Sequence, residues 1–421
     1  MIMKNRIARS ITAFMLIICL TFSLSSCVFD LGFYSDLLDD LNSEYGENNQ
    51  LPGGPSGNQN SGSVNNGNQS ENIGEFYPGS GVGSIEDISA LRQTLLSTVI
   101  VVANNLYSPS AGSGVIYQID KESGDAYVIT NYHVIFSEDY GLCTDIKLYL
   151  YGMEFESYAV SATFVGGSIN YDIALLRVSG SEVLKNSFAK AAEFADSESV
   201  RVFDSVYAVG NPEGDGISAT SGIISVESEN ISIVGADGSD ISLRVMRTDA
   251  PVNGGNSGGG LYDARGRLIG IVSAKRVGSE VDNMGYAIPS TLVKSLVKNI
   301  IDHCADSDNT QVNRPLLGIT ITAYSTGLVI DPVSGDLISA ELVEVAEISA
   351  GSVAQGKIQV GDVITSVTLD GVTKSVNKVH TLPELMLNAR VGSTVVLDVT
   401  RGDEQIKVTF EITSSCITLE K

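Results

Sequence analysis

The chain has 421 residues, which is enough for two or three domains of about 150 residues each. Hydrophobic residues make up 43% and charged residues 18%, a composition typical of globular proteins that excludes a largely disordered chain. With 50 acidic and 26 basic residues the net charge is −24, so we expect no nucleic-acid partner bound through its phosphates.

The N-terminus has the pattern of an export signal. Three basic residues precede an apolar run from Ile11 to Leu24, which is too short for a membrane-spanning helix of about 20 residues. The run ends in Leu24-Ser25-Ser26-Cys27, which resembles the lipobox of bacterial lipoproteins. This resemblance implies that residues 1–26 are removed, that Cys27 is diacylated, and that the protein is extracytoplasmic and lipid-anchored to the bacterial cell membrane. An ordinary secretory signal with an incidental cysteine is the alternative.

Residues 27–83 are predicted to be an acidic tether. The segment has no Lys or Arg, and from about residue 42 it consists mainly of Asn, Gly, Ser, Gln and Pro. Such a composition buries too little apolar surface to fold. Ordered structure is predicted to begin at Ser84, which precedes an amphipathic helix of about ten residues.

The next part of the chain, to about residue 288, has short β-branched runs separated by turn residues, which is typical of β-barrels or sandwiches. Asp237-Gly238 predicts a hairpin turn. The predicted strands are Val99–Val102, Gly114–Tyr117, Ala126–Thr130, Ile146–Leu150, Ile173–Val178, Ser205–Val209, Ile231–Val234, Ile241–Val245 and Leu268–Val272.

A helix over Leu292–Ile301 and an acidic loop indicate a domain boundary, and a smaller α+β domain follows. We therefore divide the folded chain into residues 84–303 and 304–421. In the second part a helix is predicted over Leu382–Ala389. The predicted strands are Leu317–Ile321, Leu342–Val345, Val363–Val367, Val395–Val399 and Ile406–Phe410.

The candidates for a general base are few, because the chain has only three histidines. His133 directly follows an apolar strand, where a base can be held rigidly. His303 and His380 are expected to be solvated. Asp172 precedes an apolar run, where a carboxylate is costly unless it is hydrogen-bonded, and orienting a histidine would explain its presence.

Ser257 lies in Asn253-Gly254-Gly255-Asn256-Ser257-Gly258-Gly259. Glycines on both sides of a serine allow a tight turn that exposes the hydroxyl and directs amide N–H groups at one point. This is the geometry that stabilises an oxyanion.

The ordered segments Thr-Asn-x-His-Val, Asp-Ile-Ala-Leu-Leu and Gly-Asn-Ser-Gly-Gly resemble those of HtrA or Deg serine proteases. The resemblance implies a mostly β fold, with a chymotrypsin-like double β-barrel in residues 84–303. It also implies that Ser257 is the nucleophile, His133 the general base and Asp172 the group that orients His133. Gly255 and Ser257, with Asn256 between them, would form the oxyanion hole. Family members usually have Pro at positions 254 and 260, where this chain has Gly, so a hole that forms on activation is favoured.

Specificity is predicted less directly. In trypsin-like enzymes the pocket floor lies six residues before the serine, which is Pro251 here, and no carboxylate is present to bind Lys or Arg. Small or medium apolar side chains are therefore favoured, with Ser273 and Tyr286 as the other expected pocket residues. Loop shifts that bring in another residue are the alternative.

Residues 304–421 resemble a linker followed by a PDZ domain. Leu316, Leu317, Gly318 and Ile319 look like the loop that captures a peptide C-terminus while the peptide adds to the sheet as a strand. Peptide C-termini are therefore expected partners.

No cofactor or metal is expected, since the chain has no phosphate-binding Gly-Lys-Ser/Thr motif and no ligand cluster. The spacing of Cys143, Cys304 and Cys416 leaves one disulfide open.

The resemblance as a whole implies a serine endopeptidase that hydrolyses unfolded or damaged extracytoplasmic proteins through an acyl-enzyme. It also implies a homotrimer. Two alternatives remain from the sequence. One is a non-proteolytic PDZ chaperone or adaptor, and the other is a regulated protease with a single signalling substrate.

Overall fold

The computed structural model describes residues 89–105, 109–273, 284–330, 335 and 337–419. The predicted signal segment, Cys27, the tether and Ser84 lie outside these residues. Within the described ranges, no helix is long and apolar enough to cross a membrane. The described chain begins with a short helix, α1 (Ala90–Gln93), which continues as a 3₁₀ turn over Thr94–Ser97.

The first six-stranded sheet closes into a barrel. Its strands are β1 (Thr98–Asn104), β2 (Pro109–Asp120), β3 (Asp125–Thr130), β6 (Asp145–Leu150), β7 (Val160–Ser168) and β8 (Ile173–Val178). They follow the order β1, β2, β3, β8, β7, β6, and all neighbours are antiparallel. A small hairpin of β4 (Phe136–Ser137) and β5 (Gly141–Leu142) lies between β3 and β6, and α2 (Glu182–Lys185) follows β8.

The second six-stranded sheet is also a closed barrel. Its strands are β9 (Ser205–Gly210), β10 (Ser218–Val234), β11 (Asp240–Thr248), β12 (Gly260–Asp263), β13 (Leu268–Ser273) and β14 (Gly285–Pro289). Their order is β10, β11, β14, β13, β12, β9. The predicted Asp237-Gly238 turn is confirmed, because it joins β10 to β11 and Gly238 adopts the positive φ of 80° that the turn requires.

The third unit is a six-stranded sheet with a short helix. Its main strands are β16 (Ile319–Ile330), β17 (Leu337–Ile348), β18 (Val363–Leu369), β20 (Thr394–Arg401) and β21 (Glu404–Glu411), in that order, with β19 (Val372–Ser375) beside β18. Helix α4 (Thr381–Met386) packs on this sheet. Strands β15 (Asn313–Pro315) and β22 (Ile417–Leu419) pair separately. The mostly β fold, two barrels and then an α+β unit, agrees with the prediction.

Helix α3 (Ser290–Cys304) connects the second barrel with the α+β unit. Its buried apolar side chains belong to the same core cluster as residues of both barrels and Leu387, which follows α4. Asn299 of α3 is fully buried, and its Nδ2 donates to the carbonyl oxygens of Asn313 at 2.9 Å and Leu387 at 2.8 Å. The two parts of the chain are therefore joined by hydrogen bonds and packing, as well as by the connecting loop.

The three cysteines of the described chain are buried and carry free thiols. The disulfide that the sequence left open is not formed among Cys143, Cys304 and Cys416. Burial raises the pKa of Cys304 to about 11, so this thiol stays protonated at neutral pH.

Candidate active site

His133 and Asp172 form a close pair where the first barrel faces the second. His133 lies in a 3₁₀ turn (Tyr132–Val134) directly after β3, and Asp172 lies directly before β8, which pairs with β3. Nδ1 of His133 is 2.8 Å from Oδ2 and 2.9 Å from Oδ1 of Asp172. The backbone N–H of His133 also donates to Oδ1 at 3.1 Å. Because an ionised carboxylate only accepts hydrogen bonds, this arrangement places the proton on Nδ1 and leaves Nε2 as the basic nitrogen.

Asp172 is held in an unusual backbone conformation. Its φ is 50°, in the left-handed region that few residues other than glycine adopt, and the residue is 2% exposed. Nδ2 of Asn131 donates to the Asp172 carbonyl at 2.8 Å, and the Asp172 N–H donates to the carbonyl of Ile169 at 3.1 Å. These bonds fix the residue in a conformation that aims its carboxylate at His133.

Ser273, which we expected in the specificity pocket, contacts Asp172. Its hydroxyl donates to Oδ2 of Asp172 at 3.3 Å, and Ser273 is 2% exposed at the end of β13. The hydroxyl therefore gives the buried carboxylate one more donor. Ser273 is the last residue of an apolar strand, and nothing in the sequence indicated that it would bond to Asp172.

The loop that carries Ser257 packs against both barrels. Ser257 is 6% exposed, and its carbonyl accepts the N–H of Ser113 at 2.8 Å. The neighbouring Gly258 donates to the carbonyl of Val272 in β13 at 2.9 Å. A side chain at Gly258 would meet the carbonyl of Ser113 at 2.1 Å and the backbone nitrogen of Asn131 at 3.1 Å. The serine loop is thus in close contact with the segment that leads to His133.

The glycines of this loop differ in backbone conformation. Gly255 and Gly258 have positive φ angles of 90° and 84°, in the region that favours glycine. Gly254 does not have a positive φ. The carbonyl of Gly254 accepts the N–H of Glu213 at 2.8 Å. The backbone N–H of Asn256 donates to the carbonyl of Asn253 at 3.1 Å. This N–H is therefore used within the turn and does not point to an oxyanion. Of the three residues predicted for the oxyanion hole, Gly255 and Ser257 therefore remain the donors to consider.

Ser113 is a residue of the site that the sequence reasoning missed. Its hydroxyl donates to the carbonyl of Gly255 at 2.7 Å and accepts the N–H of Asn211 at 2.8 Å. Its carbonyl accepts the hydroxyl of Thr130 at 2.7 Å. Ser113 is fully buried and connects the serine loop to β2, β3 and the end of β9. The only signal in the sequence is that it stands between two glycines, Gly112 and Gly114.

The other two predicted pocket residues lie near the serine loop. Pro251 is exposed, and its carbonyl accepts the hydroxyl of Thr220 in β10 at 2.8 Å. Tyr286 in β14 is 9% exposed and its hydroxyl is 3.8 Å from the sulfur of Met284. The segment between Ser273 and Met284 lies outside the described residues. The pocket itself therefore remains a prediction.

Two histidines expected to be solvated are partly buried. The His380 side chain is only 13% exposed, and its Nε2 lies 4.0 Å from a carboxylate oxygen of Glu198. Burial lowers the pKa of His303, whose Nε2 is buried. Neither contacts the His133–Asp172 pair, so His133 is the histidine that the structure brings to the site.

A groove of about 100 Å³ lies in the α+β unit between the start of β16 and α4. Its walls include Leu316, Leu317 and Ile319, three of the four residues predicted to bind peptide, together with side chains of α4. Gly318 adopts φ 77°, and its carbonyl accepts the N–H of Ser349 at 2.9 Å. The N–H of Leu316 already donates to the carbonyl of Cys416 at 2.7 Å, so the loop amides that could hold a carboxylate are those that follow it. Tyr171, next to Asp172, also lines this groove.

No group of three or more metal-ligating side chains occurs in the part of the chain that the structure describes.

Comparison with known proteins agrees with these observations. Residues 112–271 match the model of a trypsin-like peptidase domain, and residues 315–412 match that of a PDZ domain. The serine protease Do-like HtrA of Lactococcus lactis subsp. cremoris is 32% identical over 327 residues, which cover 75% of this chain and 74% of that protein. The periplasmic serine endoprotease DegP of Escherichia coli is 34% identical over 313 residues, which cover 72% of this chain and 57% of DegP.

A solved structure of the HtrA-type protease AlgW with a tripeptide is 26% identical, with a TM-score of 0.51, and covers 79% of this chain and 96% of that one. The two domain models match, in order, the part that contains the His133–Asp172 pair and the part that contains the groove. The chain therefore belongs to the HtrA family of trypsin-like serine endopeptidases with a PDZ domain.

Proposed function

We propose that this endopeptidase hydrolyses peptide bonds of unfolded or damaged extracytoplasmic proteins through a Ser257–His133–Asp172 triad. The observation that carries the proposal is the His133–Asp172 pair, with a buried carboxylate that accepts from both Nδ1 and the backbone N–H of the same histidine. Such a carboxylate has little use in a structural turn, whereas it fixes the tautomer and orientation that a general base needs.

In the proposed mechanism, Nε2 of His133 takes the proton of the Ser257 hydroxyl as its oxygen attacks the carbonyl carbon of the substrate. The C–O bond forms, and the carbonyl oxygen becomes an oxyanion that accepts hydrogen bonds from the N–H groups of Gly255 and Ser257. The protonated His133 then gives its proton to the leaving amine as the C–N bond breaks, leaving an acyl-enzyme. Water then attacks the acyl carbon as His133 takes its proton. The ester C–O bond to Ser257 breaks, the acid is released, and His133 returns the proton to the Ser257 oxygen.

The PDZ groove provides the second half of the proposed function. A peptide C-terminus would place its carboxylate at the amides after Leu316, around Gly318, and its last side chain between Leu317, Ile319 and α4. Arg314 also lines the groove, so its cationic side chain is available to an anionic terminus. Such recognition suits chain ends that are exposed in unfolded proteins.

Location and assembly are also parts of the proposal. A signal segment over residues 1–26 and diacylation of Cys27 would hold the enzyme outside the cytoplasm at the membrane, with residues 27–83 as a tether. One relative, DegP, is described as periplasmic. A protease domain over residues 84–303 and a PDZ-containing part over residues 304–421 would contain the two matched segments. A homotrimer is proposed from the family resemblance.

Cleavage of reduced casein by the purified chain tests the triad. Ser257→Ala and Asp172→Asn should each lower kcat/KM by about 10⁴-fold or more, because one removes the nucleophile and the other the group that sets the His133 tautomer. Ser239→Ala, in the exposed β10–β11 turn, is the matched serine control and should cleave like the unmodified enzyme.

A phosphonate probe that labels active serines gives an independent readout. It should label the unmodified chain and the Ser239→Ala variant but not Ser257→Ala. Cleavage that survives Ser257→Ala would refute the assignment of the nucleophile. Absence of both cleavage and labelling in the unmodified chain would favour a non-proteolytic peptide-binding protein.

A further inference from the structure

Strand β16 is an edge strand that continues well beyond the peptide groove. It spans 12 residues, Ile319–Ile330, or roughly 40 Å at about 3.3 Å per residue. Only its first part, at Ile319 and Ile321, lines the groove. Among the strands that the structure describes, β16 pairs with β17 and with no other, so its second edge presents backbone N–H and C=O groups.

This edge lacks the usual protection against strand addition. Edge strands of soluble proteins commonly carry charged residues that prevent pairing with other chains. The sequence of β16, ITITAYSTGLVI, contains no charged residue. Leu328 and Ile330 are each 70% exposed, and Leu337, opposite Ile330 on β17, is 64% exposed. The outer half of the hairpin therefore combines an open backbone edge with exposed apolar side chains.

The register of the hairpin places these side chains on the same face as the groove. Ile321 and Ala323 are opposite the buried Val345 and Val343 of β17, which face the core. An extra residue then shifts the register, so that Leu328 and Ile330 are opposite Ser339 and Leu337. Positions 345, 343, 341, 339 and 337 alternate along one strand and share a face, and the opposed pair Thr326–Glu341 is a polar step between the two apolar parts of that face. The face of the groove thus continues along the hairpin, with apolar side chains again at Leu328, Ile330 and Leu337.

We propose that the whole β16 edge binds an extended C-terminal segment of an unfolded polypeptide, about ten residues long, as an added antiparallel strand. This inference rests on the proposed binding of peptide C-termini in the groove. When the carboxylate of an antiparallel peptide lies at the start of β16, the residues upstream of it extend along the strand as far as Ile330. Its upstream apolar side chains would then contact Leu328, Ile330 and Leu337.

Continuity with the groove favours this occupant over a second copy of the chain. A peptide seated in the groove already lies on β16 and extends along the same edge without a change of direction. Pairing of two β16 edges from different copies would instead cover both grooves. The absence of charge along the edge also matches the apolar stretches that unfolding exposes.

Peptides of five and eleven residues that share one C-terminal sequence test the proposal. Their affinities for the full chain carrying Ser257→Ala, which prevents cleavage, are measured by fluorescence anisotropy. The longer peptide should bind at least about tenfold more tightly, the gain that about 1.4 kcal/mol provides. Leu328→Lys should remove most of this gain and leave the five-residue peptide unaffected. Val372→Lys, at a 61% exposed apolar position on β19, is the matched control and should retain it.

Backbone N-methylation separates strand pairing from side-chain contact. In an added strand, alternate N–H groups point toward β16. Methylation at residues six and eight from the C-terminus should therefore change the affinity of the longer peptide differently from methylation at residues seven and nine. One set should abolish the gain and the other should leave it. Equal affinity of both lengths, or equal effects of the two sets, would overturn the proposal.

Sedimentation of the peptide-free chain tests the alternative occupant. If Leu328→Lys changes the number of copies in the sedimenting assembly, the edge is an interface between copies and the proposal is wrong. Binding of the five-residue peptide without a length effect would overturn the extended edge but keep the groove. Absence of binding by both peptides would refute groove and edge together, while casein cleavage would still report on the triad.

Discussion

Gly254 and Gly255 are neighbours in the loop that carries Ser257, but only Gly255 has a backbone conformation that requires glycine. A side chain at Gly255 would meet the carbonyl oxygen of Asn211 at 2.1 Å, on a backbone with φ 90°, whereas nothing lies within 4 Å of that position at Gly254. We expect Gly255→Ala to lower kcat/KM for casein by about 10²- to 10³-fold, because it displaces a proposed oxyanion donor. Gly254→Ala should stay within a few-fold of the unmodified enzyme.

Phosphonate labelling and thermal unfolding complete this comparison. Gly255→Ala should still fold and should react slowly with the probe, since the proposed nucleophile Ser257 remains while the proposed oxyanion donor moves. If both alanine variants cleave equally well, the loop is flexible enough to accommodate the side chain. The oxyanion hole would then have to be placed elsewhere.

At the scale of single residues, the sequence pointed to positions whose residue type or sequence context is unusual. His133 was found because only three histidines occur, and Asp172 because a carboxylate before an apolar run needs a partner. Ser113 was missed because serines are common and its hydroxyl bonds to backbone groups 98 and 142 residues away. The hydrogen bond of Ser273 to Asp172 was not predicted, because the sequence does not show which way a side chain at a strand end points.

Individual elements from different parts of the chain meet in an ion cluster between the second barrel and α4. Arg244 of β11 is buried, and its Nη1 and Nη2 atoms lie 2.6 Å from Glu384 of α4 and 2.8 Å from Glu198. We expect Arg244→Met to destabilise the chain by about 3 kcal/mol in urea unfolding, because it leaves the buried Glu384 without its partner. Arg267→Met is the control and should cost at most about 1 kcal/mol, since the Arg267–Asp263 pair is partly exposed.

The stability difference between Arg244→Met and the unmodified chain should depend on pH, and the direction of this dependence can be derived. Burial opposes ionisation of Glu198, but His380 and Arg244 outweigh it and hold the pKa of Glu198 well below its ordinary value. This carboxylate therefore stabilises the fold above its ordinary pKa, and the contribution is lost as pH falls. Burial raises the pKa of Glu384, so acid neutralises it more readily once Arg244 is absent. The stability gap between Arg244→Met and the unmodified chain should narrow from pH 8 to pH 5, and a constant gap would contradict this account.

Among the elements, strand β8 and the β10–β11 turn were predicted well because their patterns are local. The β16–β17 hairpin was predicted only in part. The first strand was expected over Leu317–Ile321, but Gly318 with its positive φ delays the start to Ile319. The strand then continues to Ile330 through exposed apolar residues that do not alternate with polar ones, so period-two analysis could not detect it.

For the whole molecule, the sequence predicted two folded parts but not their contact. Tyr171 is part of that contact, since it lines the PDZ groove and packs against the core cluster that contains Leu387. The next residue along the chain is Asp172, in the strained backbone conformation that orients His133. A peptide in the groove is therefore expected to lie next to the segment that holds Asp172, the proposed triad carboxylate.

A coupling experiment follows from this one-residue separation. A saturating C-terminal peptide should change kcat for casein more than KM, because in the proposed mechanism Asp172 orients the general base and makes no contact with substrate. In Tyr171→Ala the ratio of kcat with and without peptide should fall to about one, since the groove would no longer reach the triad segment through this side chain. Tyr151→Ala, at a 44% exposed position in the first barrel, is the control and should keep the ratio of the unmodified enzyme. Anisotropy must show that the peptide still saturates Tyr171→Ala. An unchanged ratio at saturation would mean that the two domains communicate by another route, such as the Arg244 cluster.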